Sequence, residues 1–193
     1  MSRESRGTCA ATRAWVPMLV LGAVVIAVTP LFAQDAPPPS SAVAPQLVDA
    51  DLASMQGRVH LATERGRRAV VLFYEDRAHV YDNDAFKGEL RRYVADNHLE
   101  DRAVLYGVAN LGDVGMVPEA LVRSMIQPAV ERWGSDIMLD WEGVMRRAPF
   151  GFATDAANVG IIDRQGRLVF RHVGPVTDTS RTAAYRAFRA AVR

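Results

Sequence analysis

The feature that most constrains this chain is the stretch from Asn158 to His172, where two apolar, β-branched runs flank the polar turn Asp163-Arg164-Gln165-Gly166. Apolar runs of strand length around a turn with Gly in its last position predict a β-hairpin. A second run, Ala69-Val70-Val71-Leu72-Phe73-Tyr74, has no polar break and reads as a fully buried central strand. Buried strands of this kind belong to parallel sheets flanked by helices, so the rest of the chain should alternate strand and helix.

Most of it does. A helix is expected from about Asp84 to Asn97, with Phe86, Leu90, Tyr93 and Val94 on its apolar face. A strand follows over 103–110, then a helix entered at Pro118 and carrying Leu121, Val122, Met125 and Ile126. Pro128 should kink or divide that helix before Trp133. Ile137 to Asp140 reads as a short strand, Trp141 to Arg147 as helical, and Pro149-Phe150-Gly151-Phe152 as a break. After the hairpin, Asp178, Thr179 or Ser180 can cap a last helix with Tyr185, Phe188 and Val192 inward. Ahead of the central strand, Leu52, Met55, Val59 and Ala62 are spaced as one stripe of a leading helix that ends at Arg65-Gly66.

The beginning of the chain belongs to export. Arg3, Arg6 and Arg13 precede an apolar run from Ala14 to Ala33, the pattern of a secretory signal, and cleavage is expected after Ala33. The run is close to the ~20 residues that span a bilayer, so an uncleaved N-terminal anchor is the alternative. Residues 34–50, rich in Ala, Pro and Ser, form a linker, and residues 51–193 the folded domain. The chain is thus read as periplasmic or secreted, or else held at the inner membrane by residues 14–33.

Cys9, the sole cysteine, lies before the apolar run and would leave with the signal. The remaining chain of about 160 residues then has neither disulfides nor thiolate chemistry, and is long enough to rest on its core alone. Charge excludes another class: the 23 basic and 22 acidic side chains become 20 against 21 once the signal is removed, which gives no overall field for nucleic acid or an anionic membrane. Nearly every cation is Arg, Lys87 being the single Lys, which reads as compositional bias.

The order β-α-β-α-β-β-α, with the hydrophobic strand ending in Phe73-Tyr74, a loop into a helix, and the closing hairpin, resembles the thioredoxin-like fold. The resemblance implies a three-layer α/β/α sandwich around a mixed sheet with central parallel strands and a C-terminal antiparallel hairpin. In active members a Cys-x-x-Cys motif stands where the loop meets the helix, and those places fall near Ala78 and Tyr81 here. The cis-proline of the fold would fall near Ala157, where a trans peptide is expected. Val122-Arg123-Ser124 and the run Ile161 to Val169 also resemble the YtfJ family of exported, cysteine-poor thioredoxin-like proteins. That resemblance implies a periplasmic location without naming a reaction.

Glu75, Asp76, His79, Tyr81 and Asp82 crowd the loop at the end of the central strand, where α/β folds place ligands. They are the candidate binding residues; no catalytic residue, metal ligand set or cofactor follows from their spacing. Two functions fit. One is a redox-inactive binding or accessory domain for a protein or peptide partner in the cell envelope; the other is a metal-binding or hydrolytic protein using His79 with its neighbouring carboxylates. A plain solvated loop with helix-capping Asp residues would look the same in sequence. His172 reads as an exposed surface histidine, and His60 and His98 have no evident partner. No phosphate-binding glycine loop follows the first strand, and no serine stands in a nucleophile elbow.

Overall fold

The computed structural model describes residues 44–193. The expected signal, and the linker up to residue 43, lie outside the described residues. Eight strands form one sheet: β1 (Gln46–Leu47), β2 (Asp51–Ser54), β3 (Gly57–His60), β4 (Ala69–Glu75), β5 (Ala103–Asn110), β6 (Ile137–Asp140), β7 (Asn158–Ile162) and β8 (Arg167–Val173). Three helices, α1 (Asp84–Asp96), α2 (Glu119–Trp133) and α3 (Asp178–Ala191), follow β4, β5 and β8. Strand order is β1-β8-β7-β4-β5-β6-β2-β3. The centre, β4-β5-β6, is parallel, and β7 returns antiparallel to β4.

The anchoring hairpin forms as its residues dictate. Asp163 Oδ1 accepts the N–H groups of Gln165 and Arg167, and Gly166 supplies the positive φ of 79° that closes the turn. All seven residues of β4 are buried. Strand alternation divides them between two cores. Val71 and Phe73 face the helices, packing with Phe86, Leu90, Trp133, Phe170 and Phe188. Leu72 and Tyr74 face the other way, with Val108, Met138, Met145, Phe150 and Phe152. Trp133 in the first cluster, and Val122 packed on Leu139, put α2 on the same side of the sheet as α1 and α3. The third layer is therefore made of 3-10 turns at Leu61–Glu64 and Val144–Arg146 and the segment through Phe152.

The leading helix is not there. Residues 51–60 form the β2–β3 hairpin, and Leu61–Glu64 is one 3-10 turn. Leu52 and Val59 are cross-strand partners in that hairpin, and their separation of seven residues imitates two helical turns. Gly57, at φ +146°, sits in a conformation L side chains rarely adopt and opens the second strand. The domain also begins before Asp51. Gln46 and Leu47 add an edge strand to β8, and Val48 and Ala50 are buried, with the Val48 N–H on the Gly166 carbonyl. Composition had assigned these positions to the linker because a small apolar residue looks alike in a tether and in an edge of a core.

Smaller differences are local. α2 runs through Pro128 as one helix. Between Trp141 and Arg147 only Val144–Arg146 is helical, because Asp140 takes the Val144 and Met145 N–H groups on its two oxygens and fixes a turn. The cap of α3 is Thr177, one residue earlier than expected, in a capping box with Ser180.

Candidate functional site at the end of the central strand

Alternation along β4 turns Glu75 to the helix side, directly beneath the first turn of α1. There it meets Lys87. The ammonium donates to Glu75 Oε2 at 2.6 Å, to the Val80 carbonyl at 2.8 Å and to Asp84 Oδ1 at 3.2 Å, so all three protons are used. It also sits 4.4 Å from the centroid of the Trp133 ring. Lys87 is only 3% exposed and Glu75 7%. Removing both charges from water is tolerated because each supplies the other's counter-charge, but Glu75 Oε1 is buried without a partner. Burial pushes the Glu75 carboxyl up to about 7, against the opposing pull of Lys87, with Asp84 and Asp82 adding to the rise.

Above this pair lies the loop 76–83. Asp76 Oδ1 accepts the N–H groups of Ala78 and His79 and stands 2.8 Å from His79 Nδ1, which folds the loop's first half on itself. The Asp82 and Asp84 N–H groups reach the carbonyls of His79 and Tyr81, and Lys87 fastens Val80 from below. The result is a string of turns held at both ends. Tyr81 points outward, 64% exposed, with the Arg132 guanidinium 4.8 Å from its ring centroid; Arg132 in turn lies 3.5 Å from Asp84. The site's outer surface thus joins the loop to the last turn of α2.

The five candidate residues share this loop but not one point in space. Asp76 and His79 satisfy each other, Glu75 is directed under the sheet's end, Tyr81 and Asp82 face solvent, and among the described residues no three His, Cys, Asp or Glu side chains are grouped as a metal would need. Ala78 is exposed and Tyr81 points to solvent in the same loop.

Three findings lie beyond the sequence reading. Lys87 is the residue that organises the site, and its only signal was being the one lysine in an arginine-rich chain. His172 is buried rather than exposed, with Nε2 3.1 Å from the Pro175 carbonyl. It faces inward because it stands two residues after Phe170 on β8, on the face that Phe170 turns to the helix-side core; Leu168, across a bulge, belongs to the opposite core. Asn83, just before α1, is buried too and accepts the Val176 N–H at 2.7 Å, tying the loop to the approach of α3. His60, by contrast, does have a partner: its Nε2 lies 3.3 Å from Asp49 at an exposed edge.

On the opposite face the strand ends differently. The Tyr74 hydroxyl is buried and pushed up to about 12 by that burial. Beside it Arg146 donates to Asn110 and Asp113, its guanidinium resting directly on Gly112, so that a Cβ there would push the guanidinium aside. The side chain of Asn158 binds Ala153, Ala156 and Tyr74 main-chain groups and closes the loop before β7. The peptide before Ala157 is trans; the cis bond among the described residues is Ala148–Pro149.

Mixed sheet, parallel centre, closing hairpin and three helices define the class: this is a thioredoxin-like α/β fold. No protein-family model matches the chain, and no curated protein matches its sequence. Solved structures do match. A secreted thiol-disulfide isomerase from Corynebacterium glutamicum superposes with a TM-score of 0.61 at 14% identity, over 84% of this chain and 97% of that one. A DsbF homologue from Corynebacterium diphtheriae gives 0.60 at 12%, over 82% and 97%. The exposed lipoprotein thioredoxin of Streptococcus pneumoniae gives 0.55 at 18%, over 74% and 99%. At these identities the likeness is one of fold. Among the described residues no helix is long and apolar enough to cross a membrane.

Proposed function

We propose that this chain is an exported thioredoxin-like domain of the YtfJ type that binds a protein or peptide partner and performs no thiol-disulfide exchange. The observation that carries the reading is the loop 76–83: it stands at the ligand-binding end of the sheet, has Ala78 and Tyr81 where a dithiol would be, and is pinned from beneath by Lys87. Export is supported by the basic and apolar order of residues 3–33 and by the secreted or surface-exposed description of similar structures. A loop fixed at both ends, with an outward aromatic ring backed by a guanidinium, suits recognition by shape and stacking, since little ordering remains to be done on binding.

The experiment has two arms on the full chain. Reduction of insulin disulfides should not exceed the uncatalysed rate, with Cys9→Ser as the control for the one thiol. Binding to arrayed extended peptides should be measurable, and Tyr81→Ala should weaken it at least fivefold while the melting temperature stays unchanged. Catalysed disulfide exchange, or peptide binding indifferent to Tyr81, overturns the reading.

A further inference from the structure

Most ion pairs in this domain join an arginine to a carboxylate: Arg58 to Asp51, Arg68 to Glu64, Arg123 to Glu119, Arg167 to Asp163, and Arg181 to Asp178 and Glu89. The outer face of α3 departs from that habit. Arg186 and Arg189, three residues apart, are neighbours on one stripe of the helix, Arg193 lies just past its end, and all three are exposed. Among the described residues none of them forms an ion pair. They line an open concavity of about 530 Å³ together with Thr182, Tyr185 and Ala190, with no acidic side chain in its wall.

Other groups reinforce the arrangement. Arg102 and Arg164 both donate to the main-chain oxygen of Arg193, at 3.2 and 3.3 Å, and so fix the position of that residue. Arg189 is steadied by the Tyr93 ring, 5.6 Å from its centroid. The partial negative charge at a helix C-terminus accounts for cations in the last turn, but Arg186 stands before that turn. Like charges at these spacings repel one another unless an anion lies between them. A lone carboxylate would leave most of that charge unmatched, whereas a phosphate group offers several acceptor oxygens to planar guanidinium forks.

We propose that this concavity is a binding site for a phosphate-bearing anion, held by Arg186, Arg189 and Arg193. It lies on α3, apart from the loop after β4, and does not depend on the function proposed for that loop. A near-neutral net charge conceals such a site because net charge sums over the surface and says nothing about its distribution.

The test uses the full chain and two sources of the same chemistry. One arm titrates inorganic pyrophosphate by calorimetry at low salt; the other compares flotation with phosphatidylglycerol-containing vesicles against phosphatidylcholine alone. The variants are Arg186→Glu/Arg189→Glu and, as a control of equal charge change, Arg58→Glu/Arg147→Glu, both with melting temperatures checked. The expected result is binding in at least one arm that weakens with salt, falls at least tenfold in the α3 variant and survives in the control. Binding in the first arm marks a soluble phosphate ligand; binding in the second alone marks phospholipid headgroups. No binding in either arm, or equal loss in both variants, overturns the proposal.

Discussion

The sheet's two faces end in buried carboxylates, Asp140 from β6 and Glu75 from β4, and the two are satisfied in opposite ways. On the loop-covered face, Asp140 spends both oxygens on main-chain N–H groups. On the helix-covered face, Glu75 depends on one side chain, Lys87, and keeps one oxygen unpartnered. Main-chain partners are fixed by the fold and cannot leave separately, whereas an ion pair between side chains can be undone by one proton. The Glu75–Lys87 pair is therefore a point at which the fold responds to pH, and it lies directly under the loop 76–83.

The largest expected effect comes from breaking that pair. Lys87→Met leaves a buried, uncompensated carboxylate and should cost about 3–5 kcal/mol at pH 8, measured by urea unfolding. At pH 5, where Glu75 is protonated, the loss should shrink to the packing difference and the lost bonds to Val80 and Asp84. Lys87→Arg sharpens the same point: a larger planar fork against Trp133 and Phe73 should cost about 1–3 kcal/mol, although arginine serves as the cation everywhere else in the chain.

Next in size is the pH dependence of the intact protein. The Glu75 pKa is raised in the fold to about 7 from an ordinary value of 4.5. The folded state thus holds the proton more tightly than the unfolded one. The associated stability is complete below about pH 4.5 and is lost as pH rises through 7, by about 3 kcal/mol. Glu75→Gln should flatten that part of the curve, and an unchanged slope between pH 5 and 8 would break the comparison. On the other face, Asp140→Asn keeps one acceptor of two and should cost about 1–2 kcal/mol by urea unfolding at pH 7. Smallest of all, Tyr81→Ala should change stability by less than about 0.5 kcal/mol, since its ring is mostly outside the core.

The sequence pattern carried the sheet's centre. β4, α1, β5, α2, β6 and the β7–β8 hairpin all stand where apolar periodicity and turn chemistry put them, because those elements bury long runs with unambiguous period. It failed at residues 46–62, where elements of two to four residues are too short to have a period and are defined by which edge they join. The site was legible as a location but not as a constellation. The loop's carboxylates were visible; that Glu75 turns inward while Asp76 caps its own loop follows from β-strand parity at the last residue of β4. Lys87 was visible as a count and meaningless until its one position was known to be buried. His172 reads as surface when judged by its polarity and as interior when judged by the strand parity it shares with Phe170.

That solitary lysine has a practical corollary. The chain offers amine-directed chemistry just one ε-amino group, and it is enclosed by Glu75, Val80, Asp84 and an indole ring. Side-chain acylation of the native protein should be slow, and its rate should report how often the end of the central strand breathes open. The same enclosure means that lysine-to-lysine cross-linking would be blind to this protein's surface, so a partner seated there would go unrecorded unless the reagent addressed carboxylates, arginine or the ring of Tyr81.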